Sequence, residues 1–152
     1  MLRESVTYQL ASISEDAVGS AARLFQERFG LTVHELRVLR LVDDQPGVTF
    51  TSLARQTKFE RTATSRILSR LIKQGLIRRE IDDSDARHFL LQTTPEGKAL
   101  RRAADPLSLE MEALVLSALD EGERAELRRL LDKLSAWLAG GYGEEMARRY
   151  GR

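Results

Sequence analysis

The sequence predicts a mainly α protein with one small β-hairpin between its fourth and fifth helices. Three observations carry this. Apolar residues recur at three- and four-residue spacing through most of the 152 residues, the pattern of helices with one buried face. The period changes once, at residues 76–81 and 88–93, where β-branched and aromatic residues flank the turn formers of 82–87. Capping sequences stand at Thr32, Thr94 and Asp120, each just ahead of an apolar-periodic run.

In the first predicted helix, residues 5–29, Leu10, Ile13, Ala17, Ala21, Leu24 and Phe25 share one face, and Gly30 suits the stop. Thr32 with Glu35 has the form of a capping box and opens a second helix to about Asp44, ended by Pro46 and Gly47. Residues 48–50 suit a very short strand. Thr51 is the expected cap of a short third helix, 52–57, with Leu53 and Ala54 inward. Lys58 and Phe59 connect it to the fourth helix, which Gly75 closes. The hairpin follows, with 82–87 as its tip. Thr94 as cap and Pro95 at the first helical position start a fifth helix to about Leu119. Pro106 is expected to kink or break it, because it lacks a backbone donor and clashes one turn back. Asp120 with Glu123 caps a sixth helix, whose stripe is Leu127, Leu130, Leu131, Leu134, Trp137 and Leu138. Gly140 and Gly141 are expected to end it, leaving 142–152 as a last helical turn or a disordered tail.

With 42% hydrophobic and 31% charged residues, the composition suits a soluble globular chain of one domain or one domain with an extension. No apolar run is long enough to span a membrane, and the first residues lack a signal peptide's apolar core, so a cytoplasmic protein is expected. Cysteine is absent, which excludes disulfides and thiol chemistry. Two histidines without cysteine make a poor case for a metal site. No nucleophile–base arrangement, glycine-rich phosphate loop or paired carboxylates stand out. Neither an enzyme nor a cofactor is expected.

The fourth helix carries the chemistry. At 100° per residue, Ala63, Thr64, Ile67, Leu68 and Leu71 fall on one arc. Thr62, Ser65, Arg66, Ser69, Arg70 and Lys73 fall on the other, with no acid among them. Hydroxyls and Arg suit base edges, and Lys and Arg suit phosphates, so this face has what a helix needs in a DNA major groove. A solvated charged face has the same composition, and this helix alone does not decide between them. The charge distribution bears on the choice. Residues 55–79 hold eight cations against Glu60 alone, in a chain of net charge +1. Such a localised patch points to an anionic partner held at one place.

Helix, helix, short connection, helix, hairpin is the winged helix-turn-helix order. The stretch from Thr51 to Leu100 resembles the MarR family of bacterial transcriptional regulators. Four pieces carry the resemblance: Leu53-Ala54-Arg55; Thr62, Ser65-Arg66, Arg70-Leu71 and Gly75-Leu76-Ile77; Asp85-Ala86-Arg87 at the wing tip; and 91–97, running from the wing into the next helix. Leu36 stands where the family often has Trp.

The resemblance implies a winged helix-turn-helix DNA-binding domain at 31–94 and a helical dimerisation region formed by 1–30 and 95–152. It implies Thr62, Ser65, Arg66 and Ser69 near bases, with Arg61, Arg70 and Lys73 nearer phosphates. Thr51 and Ser52 would offer a hydroxyl and N–H groups to a phosphate. Arg87 would enter the minor groove, with Asp85 holding it or fixing the turn. A homodimer would set two recognition helices one DNA turn apart on a pseudo-palindromic duplex. Many such regulators are repressors that release DNA when a small aromatic or phenolic effector binds. Phe25, His34 and Arg37 flank that region here, and they suit packing and surface roles equally well. The competing class is a winged-helix protein-interaction module that never touches DNA.

Overall fold

The computed structural model describes residues 4–82 and 85–151, and the side chains among them except those of 82–88. The elements in order are α1 (Val6–Phe29), α2 (Val33–Asp44), β1 (Val48–Thr49), α3 (Phe50–Thr57), α4 (Arg61–Lys73), β2 (Ile77–Asp82), β3 (Asp85–Thr93), α5 (Pro95–Val115), a 3-10 turn (Leu116–Ala118) and α6 (Glu121–Tyr150). The chain divides into two compact units, Met1–Met111 and Glu112–Arg152.

In the first unit α2 is the central helix. Leu36, Val38, Leu39 and Val42 are all buried on it. They share a core with Phe25 of α1, Leu53 of α3, Leu68 and Leu71 of α4, Leu91 of β3 and Leu107 of α5. Each such side chain, fully buried, contributes roughly 1.5–3 kcal/mol. Both arms of the α2 capping box form: Thr32 Oγ1 accepts from Glu35 N at 3.1 Å, and Glu35 Oε2 accepts from Thr32 N at 2.8 Å.

The sheet has three antiparallel strands in the order β1-β3-β2. β1 adds a third strand to the expected hairpin, with Val48 opposite Leu91. Pairing of β2 with β3 runs out to Asp82 opposite Asp85, after a register shift at Ile81/Asp82. Residues 85–87, expected in the tip, therefore belong to the backbone of β3.

The junction between wing and α5 is tightly built. Gly75 sits at φ 72° and closes α4, with Leu76 N donating to Leu71 O and Gly75 N to Ile72 O. That pair of bonds satisfies carbonyls the helix end would otherwise leave open. Thr94 Oγ1 accepts from Gly97 N at 3.1 Å and donates to Gly75 O at 2.6 Å. Thus one hydroxyl caps the start of α5 and ties it to the end of α4.

Four expectations need correction. The cap of α3 is Thr49, whose hydroxyl accepts from Ser52 N, because the helix begins directly at the end of β1. Thr51 lies inside the helix. α5 ends at Val115, short of Leu119, and the 3-10 turn completes the connection. α5 also continues through Pro106, so the proline does not break it. Pro106 and Arg102, one turn earlier, are both exposed, so water can satisfy the carbonyl that loses its donor. Finally, α6 runs through Gly140 and Gly141 to Tyr150. Neither glycine adopts a positive φ, which a stop of that kind requires. Gly141 instead makes room for Trp137, since a Cβ there would lie 2.2 Å from the indole ring.

The second unit holds the end of α5, the 3-10 turn and α6, which has no buried residue. Its Asp120–Glu123 capping box forms with bonds of 2.8 and 2.9 Å.

Gly97→Ala tests the α4–α5 junction. A Cβ there would lie 2.2 Å from Leu76 O, a backbone atom that cannot rotate away. Urea denaturation should show a loss of about 1–3 kcal/mol, the usual cost of overpacking.

Candidate nucleic-acid interface

The helix-turn-helix is held by a polar contact inside an apolar core. α3 ends at Lys58, in a left-handed conformation at φ 59°. Thr57 of α3 and Thr64 of α4 are both buried, and their hydroxyls lie 3.0 Å apart, one donating to the other. Thr57 Oγ1 also donates to Ala54 O and accepts from Phe59 N. Because buried hydroxyls are costly to leave unpaired, this contact fixes how α4 leaves the turn.

α4 then divides as its sequence predicts. Thr64, Leu68 and Leu71 are buried, while Ala63 and Ile67 are half-buried. Thr62, Ser65, Arg66, Ser69, Arg70 and Lys73 are all exposed. Arg61, at the start of the helix, lies with its guanidinium over the Phe50 ring, 4.8 Å from the centroid. Arg70 differs from its neighbours, since its Nε lies 3.1 Å from Oε1 of the buried Glu35.

Thr51 is exposed on α3 and Ser52 is half-buried. The Ser52 N–H is already taken by Thr49, and its hydroxyl accepts from Gln56 Nε2 at 3.2 Å. The N–H is therefore spent, while the Ser52 O–H proton, which neither bond uses, is the group left for a phosphate.

Between α3, α4 and the wing runs a cleft of about 380 Å³, bordered by Thr51, Ser65, Leu68, Arg79 and Phe89. Arg79 extends from β2 over the Phe89 ring, 5.9 Å from its centroid. It was not among the expected contacts, although it lies in the basic stretch 55–79. Strand periodicity could have placed it, because it stands opposite the buried Leu91 across the hairpin. Neighbouring Arg78 is paired with Glu80 at 2.6 Å. The side chains of Asp85 and Arg87 lie outside the described residues.

The three expected effector residues separate. Phe25 is in the core, 3% exposed, with its ring 5.8 Å from that of Phe29. His34 and Arg37 come together on Phe59: the imidazole lies 4.7 Å from its ring, and the guanidinium 5.2 Å. Among the described residues no group of three or more acids and histidines could hold a metal ion. No helix among them is long and apolar enough to cross a membrane.

Partial burial, then the Arg37 charge, holds the His34 pKa below its ordinary 6.5. The folded chain thus binds this proton less readily than the unfolded chain. The contribution of His34 is complete above about 6.5 and is lost as pH falls through the lowered value. In thermal melts between pH 7.5 and 5, His34→Gln should lose less stability than the unsubstituted protein.

The MarR family's sequence profile matches residues 29–88. The HTH-type transcriptional repressor Rv2887 of Mycobacterium tuberculosis is 30% identical over 107 residues, covering 70% of this chain and 77% of that protein. The transcriptional regulator HosA of Escherichia coli is 27% identical over 133 residues, 88% of this chain and 96% of HosA. Among solved structures, a probable transcriptional regulator from Pseudomonas aeruginosa superposes with a TM-score of 0.75 at 26% identity, covering 88% of this chain and 99% of its own. The complex of Rv2887 with salicylic acid superposes with a TM-score of 0.71 at 26% identity, covering 86% and 96% of the two chains. With α3 and α4 as its helix-turn-helix and the β2–β3 hairpin as its wing, the chain belongs to the MarR family of transcriptional regulators.

Proposed function

We propose that this chain is a homodimeric repressor that binds a pseudo-palindromic DNA duplex through α4 and releases it when an aromatic anion binds. One observation carries the DNA contact. α4 is held in the core along one arc and exposes only hydroxyls and cations along the other. In this reading Thr62, Ser65, Arg66 and Ser69 face base edges in the major groove, while Arg61 and Lys73 contact phosphates. Thr51 adds a hydroxyl at the edge of the cleft. Arg79 joins it there from the wing strand, Arg87 enters the minor groove and Asp85 orients Arg87.

Repression is supported by the relative Rv2887, itself named a repressor. An aromatic anion as effector is supported by the structure of that relative with salicylic acid. On this chain His34, Arg37 and Phe59 bring a titratable ring, a cation and an aromatic face together. Phe25, being buried, acts through packing. Such a ligand acts only by binding one dimer geometry better than another. The dimer is supported by α6, where Leu130, Leu131, Leu134, Trp137 and Leu138 are all exposed.

A gel shift in a salt series, with the duplex upstream of the protein's own coding sequence, tests the DNA contact. Log affinity should fall linearly with log salt. Lys73→Gln should flatten that slope by about 0.9 per protomer, and Arg66→Gln should cost about 1–3 kcal/mol per half-site while relaxing the sequence preference. Salicylate should lower the affinity. A chain that shows no salt-sensitive binding to any duplex is not a DNA-binding regulator.

Sedimentation tests the dimer. The protein should sediment as two copies, and Trp137→Glu should yield monomers with weakened binding to the two-half-site duplex. A wild-type protein that is monomeric at micromolar concentration would contradict the proposal.

A further inference from the structure

Arg70 lies on the exposed face of α4 with the other cations, yet it alone of Arg66, Arg70 and Lys73 has an ion-pair partner among the described residues. That partner is no surface acid. Glu35 is 3% exposed, near the start of α2. Its carboxylate is divided: Oε2 accepts from Thr32 N at 2.8 Å, and Oε1 faces Arg70 Nε at 3.1 Å. The first contact locks the carboxylate to the first turn of α2, so the second reaches α4 from a fixed point.

We propose that Arg70 is a positioning residue whose ion pair with Glu35 sets the rotation of α4 about its own axis, and that it is not one of the phosphate anchors. Two physical arguments carry this. A carboxylate as buried as Glu35 is costly unless paired, so the contact persists whenever the fold does. The pair is also neutral as a unit, so it offers a phosphate much less than the free charges of Arg66 and Lys73. Rotation matters because side chains on a helix end about 5–6 Å from its axis. A turn of about 20° moves their tips by roughly 2 Å, more than the spread of hydrogen-bond lengths. The leucines of the buried arc fix where α4 lies. Apolar contacts are non-directional, so a directional polar contact to α2 beside that arc, together with the Thr57–Thr64 pair at the start of the helix, is what fixes its rotation.

The inference rests on the DNA-binding assignment made above, and the test separates the two. Two probes are used in salt series: the duplex upstream of the protein's own coding sequence, and a random-sequence duplex of equal length. The proteins are wild type, Glu35→Gln, Arg70→Gln and the double variant. Glu35→Gln keeps an oxygen for Thr32 N and removes the charge. A positioning role predicts that both single variants bind the upstream duplex about tenfold more weakly, a loss comparable to one base contact. Binding to the random duplex and both salt slopes should not change, and the double variant should be no worse than the weaker single variant. A phosphate anchor predicts otherwise. Arg70→Gln would then flatten the slope on both probes by about 0.9 per protomer, and Glu35→Gln, freeing the guanidinium, would bind as tightly as wild type or more tightly. That result overturns the inference. Failure of wild type to bind either duplex overturns the DNA-binding assignment, and this inference with it. Should thermal melts show that Arg70→Gln does not fold, with Glu35 left unpaired, Glu35→Gln and the double variant carry the same comparison.

Discussion

The structure of the first unit depends on the burial of one arc of α4 against α2. Leu68 and Leu71 are 3% and 0% exposed, and they meet a helix that is itself buried at Leu36, Leu39 and Val42. At roughly 1.5–3 kcal/mol for each buried side chain, these few residues contribute an amount comparable to the whole net stability of an ordinary domain. No single polar contact on α4 approaches that. The apolar arc therefore decides where the helix lies, and the polar contacts adjust how it lies. Which residues are displayed follows from that arc, because what is not in the core is exposed; how they are aimed depends on the polar contacts as well.

Both ends of α4 are also tied. At its start the Thr57–Thr64 hydroxyl pair joins it to α3. At its end Gly75 closes the helix, and Thr94 bonds the Gly75 carbonyl while capping α5. Gly97 is required by the same junction, since Leu76 O occupies the place a Cβ would take. On the α2 side, Arg40 donates to Asp105 and Ser108 of α5, and Arg101 of α5 pairs with Asp43 and Asp44. These part-buried bonds make α5, through Ser108, continuous with the core that carries α4. A helix held at both ends, along one side and by the Arg70–Glu35 pair has its orientation set by its lobe.

Much of this was legible in the sequence because it is local. Periodicity divided α4 into a buried and an exposed arc, and every residue named for the exposed arc is exposed. The capping boxes at Thr32 and Asp120 form as their spacing predicts, since cap and partner are three residues apart. What the sequence hid lies at longer range. Thr49 displaced Thr51 as the cap because β1 pairs with β3, about forty residues on. Glu35 read only as a capping residue, and nothing local shows that its second oxygen faces Arg70 across the helix pair. The break allowed for at Pro106 and the stop expected at the glycines of α6 failed to occur for a different reason. Propensity prices them at about 1 kcal/mol for a glycine and about 3 for a proline. Context decides whether that cost ends a helix, through solvent at Arg102 and the Trp137 ring over Gly141.

The charge asymmetry and the apolar asymmetry belong to different units, and each has its own partner requirement. The cations concentrate at 55–79, in the first unit. α6, in the second, carries five large apolar side chains between Leu130 and Leu138, each 37–59% exposed. Helices in proteins draw most of their stability from packing an apolar face, not from propensity. α6 contains four glycines among its thirty residues and has no residue buried within this chain. Surface ion pairs such as Arg129 with Glu126 add only a few tenths of a kcal/mol each. An apolar stripe of this length therefore needs a surface to cover it. The proposed second copy would meet that need, because a two-fold axis would bring the same stripe to face itself.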